Sequence, residues 1–122
     1  MGSRKYTRHV LVAVKTVKEL LDLHPANGLS TASLAMTAGI SRTVLQEAFK
    51  DTYGIDIGEY KLQARMHLAR NMLLKGRSIK EMTIQLRYAS TSAFTSAFKN
   101  FFGQTPGEFL AANGKSQFPD KT

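Results

Sequence analysis

The stretch STSAFTSAFKNFFGQTP, residues 90–106, sets small hydroxyl side chains beside a row of phenylalanines. Serine and threonine hydroxyls donate and accept hydrogen bonds, and the threonine methyl can touch a thymine methyl. Lys99 adds a cation that suits a phosphate contact. The serine, threonine and lysine side chains therefore suit hydrogen bonds to a large polar ligand. The aromatic residues indicate a helix face buried in a core, at Phe94, Phe98, Phe101 and Phe102.

The charge of the chain points to a polyanionic ligand. Its 122 residues include 17 Lys+Arg against nine Asp+Glu, a formal net charge of +8. Nucleic acid is the first class of partner that such a basic domain suggests, and an anionic membrane surface is the second. A solvated basic surface without a specific partner is the alternative, because charge alone does not define a fold.

Several classes of site are disfavoured by what the sequence lacks. There are no cysteines, which excludes disulfides, thiolate metal sites and cysteine nucleophiles and fits a reducing compartment. No run approaches the ~18 apolar residues of a membrane span, and no signal-peptide pattern is present. His9, His24 and His67 lie in no metal-binding spacing. We therefore expect no enzyme, metal or cofactor, and a location in the cytoplasm.

Apolar residues recur with a helical period throughout, which predicts an all-α fold of about seven helices. The first helix is expected from about Arg4 to Leu23 and a longer one from about Ile57 to Lys75. The predicted N-caps are Ser30, Ser41, Ser78 and Thr105. Pro106 would open a last helix with Phe109 and Leu110 on its inner side.

Two segments share one pattern, which indicates an internal duplication. Residues 30–54 and 78–103 each comprise a short helix, a turn and a longer helix, and they end in the related strings EAFKDTYG and SAFKNFFG. A short helix and a second helix joined by a tight turn make a helix-turn-helix unit. The predicted organisation is a first subdomain at 4–54, a linker helix at 55–76, a second subdomain at 77–114 and a flexible tail at 115–122.

The second helix of each copy has two faces. The predicted inner faces carry Val44, Leu45, Ala48 and Phe49 in the first copy, and Phe94, Ala97, Phe98 and Phe101 or Phe102 in the second. Polar residues remain outside, as expected of a helix that packs with one side and enters a DNA groove with the other. Basic residues along the long middle helix could line phosphates between two grooves, whereas Arg65 could instead be structural and tie the two halves of the chain together.

From about Val10 to Leu110 the chain resembles the DNA-binding domain of the AraC/XylS family of bacterial transcription regulators. The resemblance covers LSTASLAMTAGISRTVLQEAFKDTYG, EYKLQARMHLARNMLL and SIKEMTIQLRYASTSAFTSAFKNFFGQTPGEF. It implies sequence-specific binding of double-stranded DNA, with two recognition helices in successive major grooves about 34 Å apart. The implied base-reading residues are Arg42, Thr43, Gln46, Glu47, Thr91, Ser92, Thr95 and Ser96. Phosphate contacts are predicted for Ser41, Lys50, Lys61, Arg77, Ser90, Lys99 and Asn100.

The chain departs from the family pattern at a few positions. Arg87 stands where the family usually has glycine, and a positive φ there would cost a non-glycine residue about 1 kcal/mol or more. Glu47 stands where a basic or polar reader is common, so it would either accept from a cytosine amine or repel phosphates. Ser96 is small where a long basic side chain is frequent.

The resemblance also implies partners outside this stretch. Regulators of the family usually carry a separate effector-binding or dimerisation domain, and we expect one in the full-length protein. The opening Met1-Gly2-Ser3 resembles a remnant of recombinant expression and favours an excised C-terminal domain. RNA polymerase is a further expected partner. A helical protein-interaction module that contacts the transcription machinery is the alternative function.

Overall fold

The computed structural model describes residues 5–114, and the described chain is helical. No strand occurs within this range, so the predicted all-α class is confirmed. The predicted tail at 115–122 lies outside the described residues. Seven α-helices and a final π-helical turn follow one another: α1 Arg8–Leu23, α2 Thr31–Ala38, α3 Arg42–Tyr53, α4 Ile57–Leu74, α5 Ile79–Gln85, α6 Thr91–Phe102, α7 Pro106–Phe109 and the turn Leu110–Gly114.

Hydroxyl side chains begin most of these helices. Each accepts the backbone N–H three residues on, which satisfies a donor that the first helical turn leaves without a partner. The predicted caps are confirmed, and Ser90 and Thr7 act in the same way; the full set is Thr7, Ser30, Ser41, Ser78, Ser90 and Thr105. The prediction that α1 begins near Arg4 is wrong, because the cap at Thr7 starts the helix at Arg8.

The chain divides into two compact units, with a boundary between Ala64 and Arg65 inside α4. Unit 1 ends at Ala64, and unit 2 begins at Arg65. Within the described residues, no helix combines the length and the apolar character needed to cross a membrane.

The core of unit 1 brings α1, α2, α3 and the start of α4 together. Its buried residues are Val14, Val17, Leu21, Leu34, Ala35, Leu45, Ala48, Phe49 and Ile57. The start of α4 is also tied to α1 by polar contacts, since the Tyr60 hydroxyl donates to Asp22 and Lys18 Nζ lies 2.9 Å from the same carboxylate. Burial opposes ionisation of Asp22, but the hydrogen bonds from Tyr60 and Lys18 outweigh it and hold the pKa of Asp22 below its usual value.

Unit 2 has an aromatic core. Phe94 and Phe98 of α6 are fully buried, with ring centroids 6.0 Å apart, and Phe109 of α7 lies 5.7 Å from Phe98. Met82 of α5 and Leu86, the C-cap of that helix, are buried as well. The predicted inner position of Leu110 is wrong: α7 ends at Phe109, the chain continues as a π-helical turn, and Leu110 is 37% exposed.

The turns of the two helix pairs have the same backbone geometry. In unit 1 the Gly39 N–H donates to Met36 O at 3.1 Å, and Gly39 has a φ of 78°. In unit 2 the Arg87 N–H donates to Ile84 O at 3.1 Å, and Arg87 has a φ of 64°. Both turns therefore close their first helix with a left-handed residue, although unit 2 supplies an arginine where glycine is favoured.

The free energy of unfolding of unit 2 is expected to be about 0.5–1 kcal/mol higher in Arg87→Gly than in Arg87→Ala. Relief of the left-handed strain, about 1–2 kcal/mol, exceeds the added entropy of a glycine in the unfolded chain, about 0.5–1 kcal/mol. Urea denaturation measures the difference. Arg87→Ala is the matched control, because it removes the side chain and keeps the strain. Equal free energies of unfolding in the two variants would contradict this explanation.

Candidate nucleic-acid interface

Helix α3 presents a polar face while its apolar face is fixed in the core of unit 1. Leu45, Ala48 and Phe49 are buried, and the Ser41 hydroxyl accepts the Val44 N–H at 3.1 Å. The helix ends at Tyr53, and its C-cap Gly54 has a φ of 74°. The residues predicted outside are all exposed: Arg42, Thr43, Gln46, Glu47 and Lys50.

The exposed face of α3 carries three long side chains of different hydrogen-bonding character. The guanidinium of Arg42 only donates, the amide of Gln46 both donates and accepts, and the ionised carboxylate of Glu47 only accepts. These are the groups that make paired contacts with the major-groove edges of guanine and adenine, or that accept from the cytosine amine. The face therefore has the chemistry to distinguish base pairs.

Helix α6 exposes shorter groups. Phe94 and Phe98 fix it in the core of unit 2, and its predicted outer residues Thr91, Ser92, Ser96, Lys99 and Asn100 are exposed. Thr95 differs from the prediction because it is half-buried. It lies next to Phe94 along the helix and one turn before Lys99, at the edge of the packed face. A hydroxyl can either donate to or accept from a base edge and does not make the paired contacts of Arg or Gln, so α6 offers weaker discrimination between bases than α3 does.

The seven predicted phosphate-binding residues differ in how far the fold itself already uses them. Four are exposed cations or amides without a described role in the fold: Lys50, Arg77, Lys99 and Asn100. The hydroxyls of Ser41 and Ser90 already accept the N–H groups of Val44 and Ala93, each at 3.1 Å. They keep a hydroxyl proton that could still be donated to a phosphate oxygen.

Two basic residues of α4 take part in the fold itself. Lys61 Nζ donates to Leu29 O at 3.0 Å and so holds the segment that precedes α2. Arg65 donates to the Tyr88 hydroxyl at 3.4 Å, and its guanidinium lies 5.5 Å from the centre of the Tyr88 ring. Arg65 therefore has a structural role, but within unit 2, where it ties α4 to the turn before α6; this contact does not join the two halves of the chain.

Sequence patterns missed a set of contacts between the start of the chain and α3. The Tyr6 hydroxyl donates to Asp51 Oδ2 at 2.6 Å, and Lys5 Nζ lies 3.2 Å from the same oxygen. The hydrogen bonds from Tyr6 and Lys5 hold the pKa of Asp51 below its usual value. His9 Nε2 lies 3.1 Å from Gly39 O in the turn before α3. No local signal could reveal these pairs, because 30 or more residues separate the partners.

Comparison with known proteins places this arrangement in a family. Residues 34–112 match the family model described as a helix-turn-helix domain. The chain is 39% identical over 99 residues to the Right origin-binding protein of Escherichia coli K12, covering 80% of this chain and 34% of that protein. It is 31% identical over 97 residues to the Msm operon regulatory protein of Streptococcus mutans, covering 79% of this chain and 35% of that protein. The chain thus spans about a third of the length of these relatives.

Solved structures share the fold over most of the chain. A transcriptional regulator from Chromobacterium violaceum, described as AraC-type DNA-binding domain-containing, aligns with a TM-score of 0.72 at 26% identity, covering 92% of this chain and 96% of that one. The DNA-binding domain of AdpA, solved with a target DNA, aligns with a TM-score of 0.74 at 21% identity, covering 88% and 97%. Together with the matched family model, these likenesses show that the chain belongs to the AraC/XylS family, as a helix-turn-helix DNA-binding domain.

Proposed function

We propose that this chain binds double-stranded DNA in a sequence-specific manner and acts in bacterial transcription regulation. The main observation is the duplicated helix-turn-helix unit, in which α3 and α6 each bury one apolar face and expose a polar one. The second helix of such a unit lies in the major groove, where base edges are accessible. The solved AdpA domain, which was crystallised with a target DNA, supports the same proposal by likeness of fold.

In this proposal α3 makes the contacts that identify bases. Arg42 suits guanine, Gln46 suits adenine, and Glu47 suits the amine of cytosine. Helix α6 adds hydroxyl hydrogen bonds through Thr91, Ser92, Thr95 and Ser96, and methyl contacts through the two threonines. We propose that the two helices enter successive major grooves of one duplex.

Phosphate contacts would supply much of the affinity. Lys50 and Lys99 lie in the last turns of α3 and α6, and both side chains are exposed. Arg77 and Asn100 are exposed as well and would bind neighbouring phosphates. Since each neutralised phosphate releases counterions, binding should weaken steeply as salt is added.

A salt series separates specific from non-specific binding. The full chain is titrated with a duplex selected from a random pool and with an unrelated duplex, between about 50 and 200 mM salt. We expect affinity for both duplexes to fall with salt, and the selected duplex to keep an advantage of at least about a thousandfold. Equal affinity for the two duplexes would refute sequence-specific binding, and no binding to either would refute the function as a whole.

Variants at Ser41 test whether its hydroxyl faces a phosphate as well as capping α3. Asn and Asp both cap helices about as well as Ser, so Ser41→Asn and Ser41→Asp should leave stability nearly unchanged. The carboxylate of Ser41→Asp would repel a neighbouring phosphate, and we expect it to bind DNA at least about tenfold more weakly than Ser41→Asn. Equal affinity of the two variants would show that Ser41 is a cap alone.

The whole protein is proposed to have further parts and partners. A separate effector-binding or dimerisation domain and a contact with RNA polymerase are proposed by likeness to the family, with a cytoplasmic, nucleoid-associated location. The family and the fold are those of DNA-binding regulators, and we propose no catalytic activity for this chain.

A protein-interaction module is the second candidate function. Met36 of α2 and Ile84 of α5 occupy equivalent positions in the two units and are 81% and 67% exposed. Single exposed apolar side chains are common on protein surfaces, so these two weigh less than the duplicated polar faces. A stoichiometric complex with polymerase in the absence of any DNA binding would favour this candidate.

A further inference from the structure

We propose that the segment Lys5–His9 is a positioning element that sets the orientation of α3 and thereby the stringency of base readout by unit 1. The proposal rests on the proposed DNA-binding function. The residues of this segment lie outside the recognition helix and outside the region 34–112 that matches the family model.

The first anchoring point lies just before α3. His9 Nε2 is 3.1 Å from Gly39 O, and because a carbonyl oxygen only accepts, Nε2 must carry the proton of this hydrogen bond. The His9 ring also packs against the turn, since its Cε1 and Nε2 atoms lie 3.7 Å from the place of a Cβ on Gly39. Gly39 precedes the N-cap Ser41 by two residues, so this contact fixes the backbone from which α3 starts.

The second anchoring point lies near the end of α3. The Tyr6 hydroxyl donates to Asp51 Oδ2 at 2.6 Å, and Lys5 Nζ lies 3.2 Å from that same oxygen. A hydrogen bond to an ionised acceptor is stronger than one between neutral groups. Asp51 directly follows Lys50, a proposed phosphate ligand, so the contact holds the end of α3 from which that lysine projects.

Two anchoring points at opposite ends restrain a helix more than either does alone. The buried face of α3 packs through Leu45, Ala48 and Phe49, and apolar contacts of this kind are not directional. Base readout needs side chains held within about half an ångström and 10–20° of their productive geometry. The hydrogen bonds of the segment Lys5–His9 are directional. By holding α3 in place, they keep Arg42 and Gln46 in the geometry that base readout needs.

The experiment compares discrimination by the two units in one molecule. Three single variants of the full chain are made: Tyr6→Phe removes only a hydroxyl, His9→Ala removes the ring, and His9→Gln keeps a donor. Each is titrated with the selected duplex, with a duplex altered only in the half-site bound by α3, and with one altered only in the other half-site. Thermal unfolding is recorded in parallel.

We expect Tyr6→Phe and His9→Ala to lower the affinity ratio for the α3 half-site by about three- to tenfold, the scale of one lost hydrogen bond. The ratio for the other half-site should stay unchanged, and His9→Gln should retain more discrimination than His9→Ala. A loss of affinity by the same factor on all three duplexes would mean a purely structural role and would overturn the proposal. Full discrimination in both variants would overturn it too.

The result also separates this proposal from the one on which it rests. If the unaltered chain shows no preference among the three duplexes, sequence-specific binding itself fails. If it discriminates and the variants discriminate equally well, only the positioning role fails. Should Tyr6→Phe fold poorly, Asp51→Asn weakens the same contact by changing its other partner. This variant should lower the affinity ratio for the α3 half-site in the same way.

Discussion

Replacing Phe98 by alanine is expected to lower the free energy of unfolding of unit 2 by about 3–5 kcal/mol, the usual loss for a buried phenylalanine. Phe98 is fully buried, and its ring centre lies 4.5 Å from that of Phe102 and 5.7 Å from that of Phe109. Because it also holds α6 against the core, DNA binding by unit 2 should be lost with the fold. Chemical denaturation, monitored through the signal of an aromatic residue of unit 2, measures the loss of free energy of unfolding.

The matched control for Phe98→Ala lies two residues further along the same helix. Asn100 is exposed, so Asn100→Ala should change stability by no more than about 0.5 kcal/mol. A loss below about 1 kcal/mol for Phe98→Ala would contradict a tightly packed aromatic core. Phe49 has the equivalent role in unit 1, where it is fully buried and contacts Tyr53 and Tyr60.

Replacing Gln46 by alanine is expected to relax base preference at one position of the α3 half-site by about 1–3 kcal/mol. Gln46 is exposed on the polar face of α3, and a glutamine amide can make two hydrogen bonds to adenine at once. Titration against duplexes altered one position at a time measures the change. An equal loss on every duplex would make Gln46 a phosphate-contacting or structural residue instead.

The matched control for Gln46→Ala lies on α6. Ser96 is exposed and carries one short hydroxyl, which cannot make the paired contact with an adenine edge that a glutamine amide makes. We expect Ser96→Ala to change preference in its half-site by less than Gln46→Ala does in the other. A larger effect of Ser96→Ala would show that α6, and not α3, supplies most of the discrimination.

Local sequence signals predicted the helices and most of their ends, though not the start of α1. Caps depend on residues three apart, so Ser30, Ser41, Ser78 and Thr105 could be found by inspection, and the structure confirms them. The spacing of the apolar residues of α3 also predicted correctly which of its residues are exposed. The turns of the two duplicated units also match, because Arg87 in the second turn, with a φ of 64°, is left-handed like Gly39 in the first.

Features that depend on tertiary context could not be predicted in the same way. Thr95 is half-buried because it lies at the edge of the packed face of α6. A pattern that divides residues only into apolar and polar does not distinguish such an edge position from an exposed one. Leu110 is exposed because α7 ends one residue earlier and the chain changes to a π-helical turn. The Tyr6–Asp51 contact joins residues 45 apart, and no periodic signal reports such a pair.

A footprint on a duplex selected from a random pool tests the central proposal most directly. Methylation protection on the full chain reports which major-groove guanines are covered, and hydroxyl-radical cleavage reports the protected backbone. We predict a site of about 20 base pairs with two protected major grooves, one helical turn apart, on one face of the duplex. Protection of a single groove, or of the whole length without preference for the selected sequence, would contradict readout by two recognition helices.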